Sequence, residues 1–469
     1  MRIDHINRRE FLKLTSKGVG AFTLSSLINS ASANSGYLPK LHHAPKAKSV
    51  IFLYMSGGVS HVDSFDPKPL LRELDGQPMP MEVERTQFDN VGNIMGSFWD
   101  HKKYGESGIE MTNLFPHIAE LADDMAVVRS LTAKFSEHAQ GNFFMHSGFP
   151  FLGYPSAGSW VTYGLGTENE NLPGYIVLQS EHSGAPHGGV SLFGNAFLPA
   201  TTGGSIFNVS GSKAVPNIEP AQIKHEQRKA LDIIKALDYG FAERTAAKDA
   251  VMASVENAET AYLMQEAVPE LTDISGESEK TLDEYGVNDP LWYKSEYARQ
   301  CLMARRLVER GVRFVELSCC PFEKGVQRAN PWDQHSKIEI GHGAMASQVD
   351  KPIAALVRDL KQRGLLEDTL VVFSGEFGRN PFAQGIGRDH NPQGFSAWFA
   401  GGGVKGGTVM GATDEFGYYA VDKVSNIYEL WATVLHLLGA NHEKLTFQYG
   451  GRNLRLTDVH GKVWHDIIG

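Results

Sequence analysis

Residues 49–55, SVIFLYM, form a nearly unbroken apolar run, the pattern of a central parallel strand covered on both faces. Ser56-Gly57-Gly58 follows and reads as a tight turn whose backbone N–H groups suit an anion or a ligand. The strand pattern recurs at 125–129, 174–178, 312–317, 370–373 and 395–400. Helical spacing of apolar positions fills 114–124, 137–148, 291–310, 344–364 and 427–438. Residues 153–166 are rich in Gly, Ser and aromatics and read as a loop carrying Trp160 and Tyr163. From 219 to 266 the chain is long-helical and charged, and a polar loop follows to about 290. Strands and helices alternate over most of the length. The pattern therefore predicts an α/β fold, one doubly wound sheet sandwiched by helices, with a helical insertion at about 219–290.

The N-terminus breaks this pattern. Asn7-Arg8-Arg9-Glu10-Phe11-Leu12-Lys13 precedes a modest apolar stretch at 18–27 and the small-residue site Ala31-Ser32-Ala33. Together these read as a twin-arginine signal over 1–33, which leaves a mature chain of 34–469. The expected partner is the twin-arginine export machinery, and the expected location is periplasmic or secreted. The apolar stretch is too short and too rich in Gly and Ser for a stable membrane span. A net charge of −10 over 469 residues gives no attraction for nucleic acid or anionic lipid. The three cysteines, Cys301, Cys319 and Cys320, are an odd count that argues against a disulfide framework and for burial as small hydrophobes.

The chemistry concentrates late in the chain. Trp332-Asp333-Gln334-His335 and Gly387-Arg388-Asp389-His390 each set a carboxylate beside an imidazole, and the strand at 369–374 leads to Glu376. Hard oxygen mixed with nitrogen at the carboxyl edge of an α/β sheet is a plausible shell for a divalent metal ion: zinc, manganese, calcium or magnesium. The expected metal residues are Asp63, Asp333, His335, Glu376, Asp389 and His390. Of the adjacent pair, His390 is the expected ligand and Asp389 a second ligand or an orienter of a ring N–H. Arg379 and Arg388 carry guanidinium forks suited to phosphate or sulfate oxygens. His138, at a predicted helix start, is a candidate nucleophile, ligand or general acid. His61, beside the early turn, and Asp414, in a Gly-rich block, complete the candidate site. The Gly401-Gly402-Gly403 run lacks a following Gly-Lys-Ser/Thr and is not a phosphate loop.

These blocks resemble a known family. SGGVSHVDSFDPKP (56–69), NLPGYIVL (171–178), WDQHS (332–336), SGEFGRNP (374–381), GRDHNPQGFSAWFAGGGVKGG (387–407) and GATDEFG (411–417) are similar in order and content to the sulfatase-like bacterial proteins called domain of unknown function 1501, within the alkaline phosphatase superfamily. The resemblance implies an α/β sandwich, one or two divalent metals and hydrolysis of phosphate or sulfate esters. It likens Asp333 and His335 to the superfamily's later Asp and His, Glu376-Phe377 to its adjacent ligand pair with one ligand lost, and His390 to its final His. His138 falls where the helix-start nucleophile would stand. No Cys/Ser-x-Pro-x-Arg context is present, which argues against formylglycine chemistry. The expected function is an exported metal-dependent hydrolase of sulfate or phosphate esters on a small molecule or glycan. The alternative is a non-catalytic carbohydrate-binding or scaffold protein, with Trp160, Tyr163, Trp332 and Trp398 stacking on sugar faces.

Overall fold

The computed structural model describes residues 37–38, 40–84, 91–210, 213–220, 223–245, 248–323 and 328–469. The expected export signal at 1–33 lies outside the described residues. Among them, no helix is long and apolar enough to cross a membrane.

Among the described residues, the core is a nine-stranded sheet. Its strands are β1 (Ser49–Tyr54), β2 (Met125–Thr132), β3 (Tyr175–Gln179), β4 (Ser205–Asn208), β5 (Phe314–Ser318), β6 (Thr369–Ser374), β9 (Phe395–Ala400), β10 (Thr408–Met410) and β11 (Ser425–Asn426). A separate hairpin of β7 (Gly378–Gln384) and β8 (Gly387–Asn391) lies between β6 and β9 in the chain. The spatial order is β10-β2-β9-β6-β1-β5-β3-β4, and β11 continues the β10 edge along β2. β1 pairs in parallel with β5 and β6, whereas β9 pairs antiparallel with both β6 and β2. The sheet is thus mixed, with β9 running against its neighbours.

The longer helices among the described residues are α1 (His138–Ser147), α2 (Ala157–Leu165), α3 (Lys224–Ala242), α4 (Lys248–Thr272), α5 (Glu279–Tyr285), α6 (Trp292–Glu309), α7 (Ile338–Gln362) and α8 (Ile427–Leu437). The two-residue period of β1 divides it between two cores. Ile51 and Leu53 enter the core closed by α6 and α7, and Val50, Phe52 and Tyr54 enter the one closed by α1, α2 and α8. The expected helical excursion is α3 to α5. All three cysteines are free and buried.

The predicted loop at 153–166 is instead mostly helix α2. Ser156 caps its N-terminus by accepting from Ser159 N. Glycine is tolerated inside it because Gly158 packs directly on the ring of Tyr175, where a Cβ would lie 2.7 Å from Cδ1. Trp160, Trp332 and Trp398 are 0–1% exposed, and Trp398 stacks on Phe373. These aromatics are core and offer no platform to a sugar.

A buried ion pair fastens α1 to the sheet. His146 Nε2 donates to Glu316 Oε1 at 2.9 Å, His146 Nδ1 donates to Asn142 O at 2.8 Å, and Tyr175 Oη donates to Glu316 Oε2 at 2.8 Å. Burial works against protonation of His146, but the Glu316 carboxylate outweighs it and raises the pKa above its usual 6.5. This contribution to stability is therefore full below about pH 6.5 and is lost as pH rises through the raised folded value. Glu316→Gln leaves an uncompensated imidazolium and is expected to destabilise the fold by about 3–5 kcal/mol. Urea unfolding at several pH values checks both the cost and its decline in alkali.

Candidate metal centre

Four residues from three segments meet at the carboxyl edge of the sheet: His138, Asp333, His335 and His390. His138 opens α1, after β2. Asp333 and His335 lie in the loop between β5 and α7, and His390 lies on β8 just before β9. One ligand atom from each can be chosen so that all lie within 4.8 Å of one another. The antiparallel β9 begins at this edge, and for that reason β8 delivers its histidine to the same place as the ends of the parallel strands.

Asp333 is the hub. Its Oδ1 lies 3.0 Å from His335 Nε2 and 3.3 Å from His390 Nε2, and its Oδ2 lies 3.2 Å from His138 Nε2. Burial alone would raise its pKa, but bonds from the three histidines and the charge of Arg379 hold it well below the carboxylate range. The other ring nitrogen of each histidine is anchored. Nδ1–H of His138 donates to Glu376 Oε1 at 2.7 Å, that of His390 to Ser136 O at 2.5 Å, and that of His335 to Gln384 Oε1. Three Nε2 atoms are thereby turned toward one carboxylate, and each can offer its lone pair to an ion once it is deprotonated. His335 Nε2 and His390 Nε2 stand 3.0 Å apart. Two unprotonated imidazole nitrogens at that distance repel unless a cation or a proton lies between them. The cluster thus fits a divalent metal ion, with three nitrogens and one oxygen as donors.

The two buried histidines differ in charge preference. Burial opposes protonation of His138, but it sits between Asp333 and Glu376, and these raise it to about 9. His390 touches Asp333 alone of the two carboxylates; its burial dominates and pushes it down to about 3. Asp333 and His335 are each 29% exposed, so the cluster opens on their side.

Glu376 supports the cluster from behind. Fully buried, it accepts from Gly57 N at 2.9 and 3.0 Å, from Tyr54 Oη at 3.2 Å and from His138 Nδ1. Its charge is fully hydrogen-bonded, which is what burial of a carboxylate demands. Gly57 makes this possible. Its φ is +110°, and a Cβ there would lie 2.5 Å from Asp333 N. Phe377 stacks on His390 with ring centroids 4.4 Å apart and walls the cluster at the position that the resemblance gives to a second, adjacent ligand.

The remaining predicted residues are not among the four, although Arg379 and Asp389 touch them. Asp63 is fully buried in an ion pair with Arg388, 2.7 Å from Oδ2 to Nε, and also accepts from Ser60 Oγ at 2.5 Å. Neither Asp63 nor Arg388 reaches the cluster, because each satisfies the other. Arg388 also donates to the carbonyls of Asn380, Met95 and Gly96. Arg379 is fully buried, and its donors are directed at Asp333 Oδ1 (2.7 Å) and at the carbonyls of Gly57, Gly58, Trp332 and Arg388. It braces Asp333 and has no exposed face for an oxyanion. Asp389 Oδ1 accepts from His390 N at 2.8 Å and lies 3.6 Å from His335 Nδ1, an orienting position. His61 is buried with Nε2 on Gly417 O at 2.6 Å. Asp414 accepts from the backbone of Phe416, Tyr418 and Tyr419 and orders its own loop. Ser136, Gln384, Asn142, His187 and Asn330 are not among the residues predicted from the sequence. Ser136 contributes only its backbone carbonyl and Gln384 only its side-chain amide oxygen, and neither leaves a local signal. His187 has one: a histidine between Pro186 and Gly188-Gly189, after a strand.

Fold and site together define a mixed α/β protein with a three-histidine, one-carboxylate cluster suited to a divalent metal ion. Residues 47–468 match the family described as "Protein of unknown function (DUF1501)", and the chain belongs to that family. No curated protein matches it. Solved structures of similar fold include the lipoteichoic acid synthase LtaP from Listeria monocytogenes, at 9% identity and TM-score 0.38, covering 95% of this chain and 80% of that one. The PsFucS1 sulfatase from Pseudoalteromonas sp. is 12% identical with TM-score 0.35, over 84% of this chain and 68% of that one. Alkaline phosphatase from the Antarctic bacterium TAB5 is 10% identical with TM-score 0.33, over 84% of this chain and 98% of that one.

Proposed function

We propose that the protein is a metal-dependent hydrolase of sulfate or phosphate esters carried on glycans or small molecules, exported by the twin-arginine route. The observation that carries this reading is the convergence of three Nε2 atoms on Asp333 with every Nδ1 anchored. His138, His335, His390 and Asp333 would hold the ion, and a nitrogen-rich set suits zinc or manganese better than calcium or magnesium. A divalent ion so held supplies a Lewis acid for an ester oxygen or lowers the pKa of a bound water. Glu376, Gln384 and Ser136 fix the ring tautomers, and Arg379 holds Asp333 in place. The open side formed by Asp333 and His335 admits the ester. Trp160, Trp332 and Trp398 are buried and offer no stacking surface, which weighs against the carbohydrate-binding alternative.

Elemental analysis of the purified protein and turnover of a panel of aryl and sugar sulfates and phosphates test the proposal. The expected result is stoichiometric zinc or manganese and hydrolysis of at least one ester class, lost in His390→Ala. Tight glycan binding by a protein that retains no metal would instead support the non-catalytic alternative.

A further inference from the structure

His187 stands beside the cluster without joining it. Its ring centroid lies 5.9 Å from that of His138, edge-on at 73°, and the residue is exposed. A polar network behind it fixes the ring's orientation. Asn142 Nδ2 donates to His187 O at 2.9 Å and to Asn330 Oδ1 at 3.3 Å, and His187 N donates to Asn330 Oδ1 at 3.4 Å. A backbone carbonyl can only accept and a backbone N–H can only donate, so neither amide can be reversed. Asn330 must then turn its Nδ2 to the ring, and it lies 3.0 Å from His187 Nδ1. That nitrogen is the acceptor, and the neutral ring carries its proton on Nε2. Gly188 and Gly189, at φ +116° and +68°, let the chain turn away directly after it.

This is the reverse of the arrangement inside the cluster. His138, His335 and His390 donate from Nδ1 and turn Nε2 toward Asp333, where it can ligate an ion once deprotonated. In His187 the acceptor nitrogen is occupied and an N–H is left over, which is wrong for a metal and right for an oxygen.

We propose that His187 is a substrate-facing residue whose Nε2–H donates to an oxygen of a tetrahedral oxyanion, phosphate or sulfate, held at the cluster. This deepens the hydrolase reading and rests on it for the identity of the ester. Nitrogen-15 spectra of the unliganded protein should show the Nε2–H tautomer for His187. With the protein loaded with zinc, calorimetry against inorganic phosphate and inorganic sulfate should find binding of at least one anion. His187→Ala should weaken it roughly tenfold, as loss of a hydrogen bond to a charged group does, with zinc content unchanged. His187→Gln, which keeps an N–H donor, should recover part of that loss. The Nδ1–H tautomer, wild-type protein that binds neither anion, or equal affinities in wild type and His187→Ala each overturn the assignment. If no ester is turned over while the anion results hold, the hydrolase reading falls and the donor stands. If His187→Ala turns over esters at the wild-type rate and KM, the hydrolase reading stands and the donor falls.

Discussion

Asp333→Ala is expected to abolish both metal retention and ester turnover. The substitution removes the carboxylate that all three histidines face, and it strands the buried guanidinium of Arg379, whose charged partner is Asp333 Oδ1 at 2.7 Å. Removing a hydrogen-bond partner outside a metal's own ligands typically costs about 10–100-fold in affinity or activity. Loss of Asp333 should exceed that range, and Glu376→Gln, which weakens the anchor on His138 Nδ1 and the bonds from Gly57 and Tyr54 but removes no ligand of the cluster, should fall within it. Metal titration of the two variants, with circular dichroism to verify folding, reads the order directly. If Glu376→Gln loses the ion and Asp333→Ala keeps it, the ion sits on Glu376 and the four-residue cluster is not its site.

The ordering of these two carboxylates could not be read from the chain. Asp333 and His335 were legible as a pair because two residues in a loop can face one ion whatever surrounds them. His390 was legible because its neighbours make a recognisable block and one residue of an extended adjacent pair must face away. His390 reaches the ion site, whereas Asp389, at an irregularity in the pairing of β8, lies 3.6 Å from His335 Nδ1 and accepts from His390 N. Glu376 was visible as a carboxylate at the end of a buried strand, but a buried carboxylate needs partners of some kind, and the sequence does not say whether these are a metal or three hydrogen-bond donors. The partners Gly57, Tyr54 and His138 come from β1, its following turn and α1, so the distinction exists only after the sheet has assembled. The α/β alternation was legible for a simpler reason. Strands covered on both faces must be apolar throughout, and β1, β6 and β9 announce themselves. The antiparallel direction of β9 was not legible, since apolar character carries no direction. That direction is what brings His390 to the site.

The arginines show the same limit from the other side. A guanidinium near an oxyanion site reads as a ligand for the oxyanion, yet both have their charge taken up inside the protein. Arg388 and Asp63 are each 0% exposed, and they join the turn after β1 to β8. Removing one partner of such a pair leaves a buried, uncompensated charge and costs about 3–5 kcal/mol, whereas replacing both with apolar groups of similar volume is often close to neutral. Asp63→Asn is therefore expected to lower stability by several kcal/mol while metal binding per folded molecule stays at the wild-type level. Asp63→Leu combined with Arg388→Met should recover much of the stability. Denaturant unfolding paired with metal analysis of the folded fraction separates this from the expectation that Asp63 ligates the ion. A ligand role would show as metal loss in Asp63→Asn that the double replacement does not repair. Recovery of stability with full metal content would assign Asp63 and Arg388 to the frame that holds β8, and hence His390, against the start of the chain.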